Sequence, residues 1–257
     1  MSDVALQFSI LWPALLAGLL VLATHVPLGQ QVLSRGIVFI DLAIAQVAGL
    51  GVTLADAFGY ETSGWQVQIA AVSAALAGSV LLTMTDRLWP EVQEALIGVL
   101  FVLAACVELL VLANNPHGGE HLKDLLVGQI LFVTPKTLIP VAILYALALT
   151  VWFGLRGRLG HFGFYVLFAL VVTQSVQLVG IYLVFASLII PALASKRFAT
   201  SWKLSGAYLV GIIGYFGGIV ASSLLDLPTG AMIVVTLCST FALSVLLIRN
   251  HAVTEGQ

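Results

Sequence analysis

The sequence predicts an all-α, polytopic integral membrane protein with about eight or nine transmembrane helices, some of them short or re-entrant. Three observations carry that prediction. Of the 257 residues, 60% are hydrophobic and 9% charged, with a mean hydropathy of +1.10, against roughly 45–50% apolar and about 25% charged in soluble domains. Apolar runs long enough to cross a bilayer recur along the whole chain, and the cations fall in alternate connections between them.

A hydrocarbon core about 30 Å thick takes about 20 helical residues, because backbone groups that water cannot reach must bond within the segment. Runs at 8–26, 37–57, 66–85, 95–113, 137–155, 204–225 and 228–248 meet that length. The start of the chain lacks the basic residues of a secretory signal, so the first run is expected to be retained. Between His161 and Lys196 the apolar stretch is too long for one pass at about 1.5 Å per residue, and two short spans divided around 177–180 fit it. In the longest polar connection, 114–136, the segment 125–133 is apolar but about half a span long and ends at Thr134-Pro135, which predicts a short re-entrant or surface helix. Residues 1–257 read as one transmembrane domain.

Short connections rich in Lys and Arg stay on the cytoplasmic side. Arg35, Arg87, Arg156, Arg158, Lys196, Arg197, Lys203 and Arg249 all satisfy one such assignment, with only Lys123 and Lys136 on the other side. The N-terminus is then outside, the C-terminus inside, and the number of passes odd, about nine.

Composition also excludes several functions. Ten Lys and Arg against twelve Asp and Glu leave a formal charge of -2, so there is no basic surface for nucleic-acid phosphates. Cys106 and Cys238 are too few for a disulfide framework or thiolate cluster and read as small buried hydrophobes. Neither a phosphate-binding glycine loop nor a serine nucleophile elbow occurs, so no ATPase or hydrolase domain is expected.

Ionisable side chains at membrane depth cost at least about 2.5–3.5 kcal/mol each, so they mark a pathway or a partner. Asp41, early in the second run, and Glu108, in the outer half of the fourth, are the two such acids, with a surface-snorkelling or packing role as the alternative for each. Gln46 lies about 140° around the helix from Asp41, off its face. Gln174 and Gln177 suit hydrogen bonds between helices, and Gly49, Gly51, Gly211, Gly214, Gly217 and Gly218 suit close helix packing. In the outer connection His117, Glu120 and His121 bring two imidazoles and a carboxylate within five residues, donors suited to zinc and other divalent transition ions. A solvated loop with incidental histidines is the alternative.

Five stretches together resemble one family, the membrane permeases of metal-ion ABC transporters that import zinc, manganese or iron in bacteria. They are RGIVFIDLAIAQVAGLGV at 35–52, ALIGVLF at 95–101, DLLVGQILFVTP at 124–135, VGIYLVFASLIIPA at 179–192 and DLPTG at 226–230, in the family's order. The resemblance implies a permease homodimer or pseudo-dimer in the bacterial inner membrane. It also implies a separate cytoplasmic ATPase, an extracytoplasmic metal-binding protein and ATP-driven alternating access. The divalent metal ion is cargo, no cofactor is held permanently, and ATP is hydrolysed by the partner. Asp41 and Glu108 become pathway acids, and His117, Glu120 and His121 an outer cluster; those imidazoles favour zinc over manganese or iron.

Two departures from the family pattern stand out. Members carry Asp and His one helical turn apart in the second span, whereas here Leu42 and Gln46 occupy those places and Asp41 is displaced by one. Either Asp41 joins Glu108 or a donor from another helix, or the ion is held elsewhere. The family's longer cytoplasmic segment is reduced to LRGRLGH at 155–161, leaving this loop with Arg156 and Arg158, and the 196–203 connection, as candidate ATPase contacts. The competing function is an ion-gradient-driven secondary carrier in which Asp41 and Glu108 serve as proton or ion sites.

Overall fold

The computed structural model describes residues 2–60, 64–113, 118–155, 158–198 and 200–254. Its helices are α1 (Ser2–Arg35), α2 (Ile40–Ala57), α3 (Trp65–Leu88), α4 (Gln93–Leu112), α5 (Gly118–Val127), α6 (Pro135–Leu155), α7 (Gly160–Val179), α8 (Ile181–Ser195), α9 (Lys203–Leu225) and α10 (Thr229–Thr254). Eight of them are long and apolar enough to cross a membrane. The protein is therefore an all-α, multi-pass membrane protein.

The helices gather around two centres. One group places α2 against α3 and α4, with α7 behind α3; the other places α8 against α1, α9 and α10. α8 is the hub of the second group, and most of its side chains are buried. α4, α6 and α10 lie at the periphery and direct residues such as Val102, Leu110, Ile143, Leu147 and Leu246 outward, as a lipid-facing surface requires.

Three local outcomes depart from the expectations. The first helix runs on to Arg35 through Pro27 instead of ending near Val26. Its last turns are held by packing on α8, where Gly29 lies so close to the Leu188 carbonyl that no Cβ would fit, which offsets the hydrogen bond proline removes. The stretch expected as two short spans is one full-length helix, α7 of 20 residues, and one short one, α8 of 15. Only Gly180 separates them, at φ +83 and ψ 161, backbone that a residue with a Cβ rarely adopts. Cys106 and Cys238, expected to be buried, are exposed; in a membrane protein an apolar run has an outer face that contacts lipid, so hydrophobicity does not imply the interior.

The connection 114–136 places its short helix earlier than expected: α5 ends at Val127, and within the apolar segment 125–133 only a 3-10 turn at Ile130–Phe132 follows it. The end of α5 meets the break between α7 and α8. Gly128, at φ +71, stacks on the backbone of Val179 and Gly180, and a Cβ on Gly230 at the start of α10 would lie 2.5 Å from the Val127 carbonyl oxygen. Three glycines thus join the tip of α5 to the α7–α8 break and to α10.

The opposite ends converge as well. Gln30 and Ser34 of α1, Ser195 and Lys196 at the end of α8 and Lys203 of α9 line one shallow pocket. The Arg35 guanidinium lies 4.4 Å from the Phe164 ring centre, and His161 Nδ1 meets Asp86 Oδ2 at 2.6 Å. Arg35, Lys196 and Lys203 therefore share one end of the bundle, and Asp124 and Gly230 the other.

Candidate functional site

The polar centre of the interior lies between α2 and α4. Gln46, Gly49 and Thr53 follow at intervals of three and four residues, so they form one stripe along α2. Glu108 reaches this stripe from α4 and is 1% exposed. Gln46 Nε2 donates to Glu108 Oε2, and Thr53 Oγ1 donates to Glu108 Oε1 at 2.8 Å. Gly49 lies between them: a Cβ there would stand at ordinary contact distance, 3.6 Å from Oε1 and 3.8 Å from Leu125 Cδ1 of α5. Gln46 and Thr53 are themselves buried. Each donor satisfies one carboxylate oxygen, which is what makes a carboxylate tolerable in so dry a place.

This cluster can present a second face. A half-turn of the Gln46 carboxamide exchanges its NH2 for its oxygen, and the Thr53 hydroxyl rotates freely. The same three side chains would then direct only oxygens at a common point, a set that suits hard divalent cations.

Asp41 is fully buried in the first turn of α2, and neither of its carboxylate oxygens has a hydrogen-bond partner among the described residues. The positive end of the helix macrodipole offers partial compensation there. Neither of its oxygens bonds to Glu108; Gln46, which does, lies about 7.5 Å further along the helix axis. Of the outer residues, Glu120 is exposed on α5. His117 and the side chain of His121 lie outside the described residues. Among the described residues no three His, Cys, Asp or Glu side chains gather into a metal-binding group.

Reading the sequence missed Thr53. Its spacing of seven from Gln46 was the available signal, and it becomes meaningful only once α4 is known to supply the acid. Four of the six glycines expected to pack closely do so: Gly51 sits on the Ala70 carbonyl of α3, Gly211 on Leu22, Gly214 on Leu237 and Gly218 on Ile233, whereas a Cβ on Gly49 or Gly217 would meet its nearest neighbour at 3.6 or 4.0 Å.

The ABC 3 transport family matches residues 7–157 and 152–248 of the chain. The chain belongs to the ABC 3 transport family. Family relatives include the "Manganese transport system membrane protein MntC" of Halalkalibacterium halodurans, 26% identical over 269 residues, covering 94% of this chain and 88% of the relative. Another is the "High-affinity zinc uptake system membrane protein ZnuB" of Haemophilus influenzae, 24% identical over 261 residues, covering 91% of this chain and 95% of the relative. The fold is shared with the structure of "PsaBC from Streptococcus pneumoniae in complex with Fab", with a TM-score of 0.74 at 20% identity over 91% of this chain and 90% of that one. The two matched stretches of the family overlap at 152–157, by the end of α6. Arg156 lies outside the described residues; Arg158, Lys196, Arg197 and Lys203 are exposed.

Proposed function

We propose that this chain, as a single transmembrane domain, is the permease subunit of an ABC importer for divalent metal ions in a bacterial inner membrane. Family membership supports the transport class, and the relatives are named for manganese and zinc. The observation that carries the mechanism is Glu108 held by Gln46 and Thr53 between α2 and α4. In the resting state the amide and hydroxyl donors stabilise the acid by hydrogen bonds. When a cation arrives, the carboxamide turns its oxygen inward, the hydroxyl yields its donor bond, and Glu108 is free to bind. On leaving, the ion is replaced by the same donors, so the path closes on a satisfied carboxylate.

ATP hydrolysis belongs in this reading to a separate cytoplasmic subunit, docked on the cation-bearing end, and the ion is delivered by an extracytoplasmic binding protein. A second permease copy completes the path. The preference for zinc rested on His117 and His121. The buried cluster offers oxygens, and this favours manganese over zinc at that point. Asp41, unpartnered on the same helix, is the second place on α2 where a passing cation would be stabilised.

The test is ATP-dependent uptake of manganese and zinc by the complex in proteoliposomes. Glu108→Gln is expected to abolish uptake at normal membrane levels, and Asp41→Asn to lower it. Unchanged uptake in both variants removes these assignments. Transport by this chain without an ATPase, driven by an ion gradient, would favour the secondary-carrier reading.

A further inference from the structure

At the outer end, two adjoining cavities of about 540 and about 310 Å³ lie between α3, α5 and α7 and share Gln68, Gln129 and Gln177 in their walls. Asp124 of α5 completes the larger lobe and Gln174 of α7 the smaller. Gln174 and Gln177 are three apart on α7 and so face the same way. Gln177 Nε2 is buried with no hydrogen-bond partner among the described residues. Among the described residues no Lys, Arg or His lines either lobe. Interhelical hydrogen bonding, the usual fate of buried carboxamides, does not account for that unpaired donor.

We propose that this cleft is an outer vestibule that binds a divalent cation with its water shell largely retained, before it reaches Glu108. One carboxylate supplies attraction, and four carboxamides supply oxygens that accept hydrogen bonds from metal-bound water and NH2 groups that hold the outer shell. A single carboxylate cannot replace six inner ligands, so dehydration is incomplete here; small hard cations shed water reluctantly. Six waters at about 30 Å³ each need roughly 180 Å³, which the larger lobe accommodates with space left for the side chains to adjust. The partition toward the inner cluster is Leu125, which lines the larger lobe and also reaches Gly49 beside Glu108. The ion would lose its water in passing this residue.

The inference rests on the metal-permease reading, and the experiment separates the two. Manganese binding to the resting complex in nanodiscs of neutral lipid is followed by electron paramagnetic resonance, with ¹⁷O-labelled water to count retained waters. Asp124→Asn is expected to weaken binding about fivefold, as is Gln129→Leu combined with Gln177→Leu. Gln129→Glu, which adds a second carboxylate, should tighten it about fivefold, a gain that misfolding cannot imitate. Glu108→Gln should stop uptake yet leave the water-rich signal in place. Wild-type affinity in the Asp124→Asn and Gln129→Glu variants, or a bound ion stripped of most of its water, overturns the vestibule while leaving uptake through Glu108 intact. Absence of metal uptake by the wild-type complex would instead overturn the transport reading.

Discussion

Gln46 stands where the resemblance leads us to expect a histidine, and in the structure it contacts Glu108. Its NH2 donates to Glu108, so the buried acid is held by hydrogen bonds within the protein. Gln46→His places an imidazole beside that carboxylate, and imidazole suits zinc. The expected outcome is a shift of the zinc-to-manganese uptake ratio toward zinc, measured by competition in the same vesicles. Thr53→Val removes one donor at the cost of a hydrogen bond to a charged group, about 1.5–3 kcal/mol. The variant should unfold at a lower temperature in a thermal-shift measurement, and Thr53→Ser should restore the wild-type value. The acid and the amide were each visible in the sequence as polar residues in apolar runs. Their meeting was not, because periodicity tells which residues share a face of one helix and says nothing about which helix stands opposite.

At the level of helices, the joint between α5, the α7–α8 break and α10 determines where the outer cleft sits. Gly128 and Gly180 have positive φ, and a Cβ on either would overlap the other strand of backbone. Replacing one by alanine adds about 1 kcal/mol or more of backbone strain to that overlap. Gly180→Ala should therefore reduce the yield of monodisperse protein in size-exclusion chromatography, while Gly98→Ala, where the space is open, should leave it unchanged. The division of 161–196 was legible from length and from Gly180. That α7 would take the full span and α8 the short one was not, because it depends on α8 being enclosed by α1, α9 and α10. The continuation of α1 through Pro27 escaped for the same reason: local rules stop a helix at proline, and tertiary packing overrode them.

Over the whole molecule, the placement of charge and the placement of the cleft agree. Arg35, Lys196 and Lys203 gather at one end, the end that the positive-inside tendency assigns to the cytoplasm. Asp124, Gln129 and Gln177 open at the other. Single cysteines introduced at Arg158 and Lys203 should react with a membrane-impermeant maleimide only after the cytoplasmic face is opened, and one at Gln129 in intact cells. The overall class was readable from composition because lipid imposes a uniform demand on every span. The site was only partly readable: the acid and the side chains that hold it came from two different helices, and His117 and the side chain of His121, which suggested zinc, lie outside the described residues.

The central claim is that Glu108 carries a metal ion through a path powered by an ATPase. It is tested most directly by manganese accumulation in proteoliposomes holding the complete complex, wild type against Glu108→Gln, with and without ATP. Accumulation that needs both ATP and the Glu108 carboxylate is the predicted result. Equal accumulation by the two proteins, or accumulation that proceeds without ATP, would contradict it.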